Sequence, residues 1–87
     1  MASRMTKQSR ENLAVAERAE LVNVQDEAGG SSWYIQLWRG GRLGIVYGGD
    51  GLVMLYPTAG AAERALLRVR PGSPFSISTM ARQAVIV

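Results

Sequence analysis

Cysteine and histidine are absent from this sequence, and lysine occurs once, at Lys7. The lack of cysteine excludes disulfides and thiolate nucleophiles. Without either residue there is no Cys/His zinc site and no imidazole for acid–base work. A serine nucleophile would need a lysine as its base, and Lys7 lies in a polar stretch, residues 1–8, expected to be a flexible N-terminal tail. Beyond residue 38 the only acids are Asp50 and Glu63, well separated in the chain. A carboxylate pair for hydrolysis, or an oxygen cage for a cation, needs acids in clusters. The expectation is a protein that is not an enzyme, with no catalytic residues, no cofactor and no metal. There is also no run of about 18 apolar residues and no hydrophobic signal core near Met1, so a cytoplasmic protein without membrane contact is expected.

What is present is a glycine-punctuated apolar stretch from Trp33 to Tyr56. Gly40-Gly41 and Gly49-Asp50 each separate runs rich in aromatic and β-branched residues, which reads as strands joined by tight hairpin turns. Two-residue loops would set Gln36 opposite Ile45 in the first hairpin and Tyr47 opposite Leu52 in the second. Alternation then sorts the side chains. One face takes Trp33, Ile35, Leu37, Val46, Val53 and Leu55, with Gly44 among them. The other takes Tyr34, Gln36, Trp38, Leu43, Ile45, Tyr47, Leu52, Met54 and Tyr56. Both faces are apolar, so a single covering layer leaves one of them unmatched.

The flanks supply the cover. Residues 9–21 are rich in Ala, Leu and Glu and read as a helix capped by Ser9. Residues 20–26 alternate and read as a first strand, giving a meander of roughly 20–26, 32–39, 42–48 and 51–56. Thr58 caps the clearest helix, 58–70, whose buried stripe is Ala62, Ala65, Leu66 and Val69 and which ends at Pro71-Gly72. Gly44 is expected to lie beneath this helix. A further strand is expected near the apolar C-terminus. The fold class is therefore α+β: residues 9–87 form a single domain with an antiparallel sheet of four to five strands, one main helix on one face and an additional N-terminal helix.

Charge is small in sum, +3, and uneven in place. Residues 39–87 hold six arginines, Arg39, Arg42, Arg64, Arg68, Arg70 and Arg82, against two acids. Arginine suits planar recognition of carboxylates and phosphates, although a GC-rich genome gives the same bias. The glycine pairs are not phosphate loops, because neither is followed by Lys-Ser/Thr and a helix. The aromatic face, Tyr34, Trp38, Tyr47 and Tyr56, is either a second core layer or a binding platform with Arg39, Arg42, Arg64 and Arg68 as its electrostatic rim.

Trp33 to Trp38, the turn from Arg39 to Arg42 and the segment Tyr56–Leu66 together resemble the three-strand-then-helix pattern of the arm-type DNA-binding domains of phage integrases, and of plant DNA-binding domains of that pattern. The likeness spans about residues 32–70. It implies a sheet that enters the major groove, with Gln36, Arg39 and Arg42 as its polar side chains. In length, lack of cysteine and one-sheet architecture the chain is also similar to small inhibitors from phages and mobile elements, anti-CRISPR proteins among them. The leading expectation is a non-catalytic binding protein that occupies a surface on a protein or nucleoprotein partner. A small DNA- or RNA-binding domain and a homodimeric structural module are the alternatives.

Overall fold

The computed structural model describes residues 4–25, 28–41, 43–71 and 76–85, the stretch 80–85 by its backbone. In chain order these form α1 (Lys7–Val15), β1 (Arg18–Gln25), β2 (Ser31–Trp38), β3 (Gly44–Ile45), α2 (Ala59–Val69) and β4 (Ser76–Val85). The fold is α+β, with two helices and a four-stranded mixed sheet in the order β3-β2-β1-β4.

Three features depart from the simple meander. The sheet is not wholly antiparallel, because β4 pairs with β1 in parallel, Ala19 beside Ile77 and Val22 beside Met80. A helical crossover through α2 returns the chain to the end from which β1 starts, which is what a parallel neighbour requires. The first helix is shorter than its composition suggests. Thr6, not Ser9, caps it by accepting from the Ser9 backbone N–H at 3.1 Å, and it ends at Val15. From Arg18 onward the period is two: Ala19 and Leu21 turn inward, and the residues between them turn the other way. Arg4–Thr6, in the stretch expected to be a tail, runs against the loop after β3, with Thr6 N–H donating to Tyr47 O and Gly49 N–H to Arg4 O.

The first turn gives the expected register, with Gln36 opposite Ile45 and Leu37 opposite Gly44. The second turn is one residue longer than two. Tyr47 pairs with Val53, Gly48 N–H donates to Leu52 O, and Gly51 closes the loop at φ +81°. This is a type I turn followed by a left-handed residue, the usual three-residue hairpin loop. One added residue reverses every side chain beyond it. Met54 and Tyr56 therefore pack against the core, and Tyr56 bridges to Trp33 on β2. A Cβ on Gly51 would meet nothing within 4 Å, so only its backbone restricts substitution. Gly51→Val is expected to cost about 1–2 kcal/mol through the left-handed penalty alone. Gly49→Ala, with ordinary space around it, serves as the control in denaturant unfolding. Equal midpoints for the two variants would refute this turn.

Both helices lie on one side of the sheet. Leu13 of α1 and Ala62 and Leu66 of α2 bury against Ala19, Leu21, Ile35, Leu37 and Val46 in a single cluster. Thr58 caps α2 as expected, accepting from the Ala61 N–H at 3.0 Å. Gly44 is not under α2: its missing Cβ points toward Asn12 of α1, 3.9 Å away, and its φ of +152° is one that side chains disfavour. Arg70 joins the layers, its guanidinium donating to Leu13 O at 3.0 Å and to Ala16 O at the C-terminal end of α1.

Candidate functional site: the helix-free sheet face

Because α1 and α2 share one side, no helix among the described residues covers the other side of the sheet. Register and alternation fix its rows. Arg18 lies beside Trp38, Glu20 beside Gln36, Val22 beside Tyr34 and Val24 beside Ser32. Gln36 is followed across the sheet by Ile45. The Trp33–Tyr56 bridge brings Leu55 next to Tyr34, and Tyr47 continues the face beyond Ile45, paired with Val53. Leu55 is 55% exposed and Tyr47 42%. Tyr34, Trp38 and Ile45 are half-buried.

The middle of this face is mixed and buried, with Glu20 and Gln36 beside Val22 and Val24, which are 1% and 4% exposed. Glu20 and Gln36 are only 5% and 6% exposed, although no helix lies over them. The Arg18 guanidinium stands 3.6 Å from the Glu20 carboxylate and 4.5 Å from the centre of the Trp38 ring. One arginine thus bridges a carboxylate and an aromatic face, an arrangement worth about 0.5–1 kcal/mol for the ring contact where it is partly solvated. A buried donor without a partner costs about 1–3 kcal/mol, and the Trp38 indole N–H is the one buried group on this face shown without a partner among the described residues.

The residues singled out from sequence divide between the two sides. Tyr34 and Trp38 lie together on the helix-free face, with Tyr47 at its margin. Arg39 is exposed at the turn beside Trp38, and Arg42 lies outside the described residues. Arg64 and Arg68 are exposed on α2, on the opposite side of the sheet. Tyr56 belongs to that side too, packed against the core. Its place on the face is taken by Leu55, through the one-residue longer loop. Arg18, Glu20 and Ile45 complete the face. The first two escape a local reading, since the alternation of Arg18 to Leu21 breaks at the adjacent Leu21 and Val22.

Tyr56 has a titration signature of its own. Its hydroxyl is buried without a hydrogen-bond partner, and burial raises its pKa above the usual tyrosine value, with nearby Arg68 opposing in part. A raised folded-state pKa means that the folded protein holds the proton more tightly. The associated stability is complete below the ordinary tyrosine range and is lost as pH rises through the folded value. The expected result is a late phase in the tyrosinate absorbance rise that Tyr56→Phe removes. An unaltered titration curve in that variant would refute the placement of Tyr56.

Chemically the face suits contact more than catalysis. Among the described residues no group of three His, Cys, Asp or Glu side chains is placed to hold a metal. No helix among them is long and apolar enough to cross a membrane. Comparison with protein-family models, with curated proteins and with solved structures finds no match to this chain.

Proposed function

We propose that this chain is a non-catalytic binding protein of the cytoplasm that acts by occupying a surface on a protein or nucleoprotein partner, and that the helix-free face makes the contact. One observation carries the reading: both helices are spent on one side of the sheet, while the other side carries the part-exposed Tyr34, Trp38, Ile45, Leu55 and Tyr47 around a buried centre of Glu20, Gln36, Val22 and Val24. Trp, Tyr and Arg are the residues that dominate binding hot spots, and Trp38, Tyr34 and Arg18 stand together here. A protein surface fits better than bare nucleic acid. The centre of the face holds an acid, Glu20, and the exposed Arg64 and Arg68 are on the far side, where they cannot line a shared groove with Trp38.

The test is affinity capture of partners by the parent chain and by Trp38→Ala, beside a thermal melt of each. Loss of a central anchor is expected to weaken capture about 30-fold or more while the fold persists. Trp38→Ala that captures the same partners equally well would overturn the reading. So would a variant that no longer folds, because Trp38 would then be a core residue.

A further inference from the structure

Asp50 is followed by Gly51, and no other Asp or Asn in the chain precedes a glycine. That pair has a chemistry of its own. A backbone nitrogen can attack the side-chain carboxyl carbon of the acid before it, and glycine, lacking a Cβ, lets the chain turn into the geometry the attack needs. Here both residues are exposed in the second hairpin loop, with Gly51 at φ +81°. The loop engages both reacting groups. The Gly51 N–H donates to Gly48 O at 3.0 Å, and Asp50 Oδ1 accepts from the Leu52 N–H at 3.1 Å. Beside the loop runs the segment Arg4–Thr6. Gly49 N–H donates to Arg4 O at 2.8 Å, Thr6 N–H donates to Tyr47 O at 3.0 Å, and Met5 bridges to Gly48 while packing against the core.

We infer that Asp50-Gly51 is a site of spontaneous isomerisation, and that the Arg4–Thr6 strap restrains it in the folded protein. In the step itself Gly51 N forms a bond to Asp50 Cγ. The protonated carboxyl loses its hydroxyl, which leaves as water with the amide proton, and a five-membered succinimide closes. Water then opens the ring. Attack at Cγ restores aspartate, whereas attack at the α-carbonyl carbon breaks its bond to Gly51 N and leaves an isoaspartyl link that runs through the side chain. One water leaves and one enters, so no other reactant is consumed. The product carries an extra backbone carbon in a three-residue loop and does not fit the turn that sets Tyr47 opposite Val53. Ring closure must first break the Gly51 and Asp50 hydrogen bonds, so its rate follows local opening of the loop. The inference does not depend on what the helix-free face binds.

The full chain, folded or in denaturant, is held at physiological temperature in heavy-oxygen water, and the tryptic peptide 43–64 is mapped for isoaspartate and label. Product is expected in both samples, forming about 10-fold or more slowly in the folded chain. Met5→Ser removes the side chain that anchors the strap and should speed the folded reaction several-fold. If Met5→Ser does not fold, Met5→Ala takes its place. Arg70→Met weakens the fold at the helix ends, away from the loop, and should leave the folded rate near the parent's. Equal acceleration by the Met5 and Arg70 variants would mean that global unfolding exposes the site, and the strap would have no part in it. A Met5 variant with the parent's rate, equal rates in the folded and denatured chains, or no isoaspartate in denaturant would each overturn the inference.

Discussion

Leu66→Ala is expected to lower the unfolding free energy by about 2–5 kcal/mol, enough to leave much of the population unfolded at physiological temperature. Leu66 is wholly buried where α2 meets the sheet, in the one cluster that also holds Leu13, Ile35, Leu37 and Val46. A chain of 87 residues has little reserve, because small domains bury a smaller share of their surface. No helix among the described residues backs the other face of the sheet. Removing three carbons at this position loses their transfer free energy and leaves a cavity bounded by both helices and the sheet. The neighbouring Leu67 is 39% exposed and supplies the control: Leu67→Ala should stay within about 0.5 kcal/mol of the parent. Chemical denaturation of both variants measures the difference. Equal losses would mean that α2 is turned by about one residue, roughly 100° around its axis, and that the sequence stripe of Ala62 and Leu66 does not face the sheet.

That stripe is among the features that the amino-acid pattern makes plain. Thr58 as cap, Ala62 and Leu66 at helical spacing, and Ile35, Leu37 and Val46 on one strand face all arise from local chemistry, and local chemistry is what a sequence displays. The first hairpin is legible for the same reason, since glycine at 40 and 41 admits the short loop that aligns Gln36 with Ile45. The second hairpin is ambiguous because Gly48, Gly49 and Gly51 surround Asp50 and allow a loop of two residues or three. The choice is settled outside the loop, where Trp33 takes Tyr56 as its partner and Arg4 and Thr6 bind the backbone of 47–49. Such long-range pairings leave no local mark. The same holds for the site. Trp38 and Tyr34 follow from alternation along β2, whereas Arg18 and Glu20 join them only once residues 18–21 are known to be strand. Ala, Leu and Glu favour helix intrinsically, and pairing with both β2 and β4 overrides that preference.

Arg70 shows how position decides what an arginine does. By sequence it is one of six arginines that make residues 39–87 basic, a set that invites a nucleic-acid reading. In the fold its guanidinium crosses to α1 and donates to Leu13 O and Ala16 O, two carbonyls at the helix end. Helix C-termini leave carbonyls without intrahelical partners, and a cation there also meets the favourable end of the helix dipole. Arg70 follows α2 directly, so these two bonds tie the end of one helix to the end of the other. Arg70→Met keeps most of the side chain's length and removes the donors. Hydrogen bonds from charged groups are worth about 1.5–3 kcal/mol, and a loss in that range is expected in denaturant unfolding, with amide exchange in α1 accelerated more than in β2. The variant should leave partner capture by the helix-free face intact wherever the fold persists, since Arg70 lies on the helix side of the sheet. Arg64→Met, exposed on α2, is the comparison and should change stability by no more than about 0.5 kcal/mol. If Arg70→Met is as stable as the parent, the link between the helix ends contributes nothing. Arg70 would then return to the exposed arginines that could steer an acidic ligand.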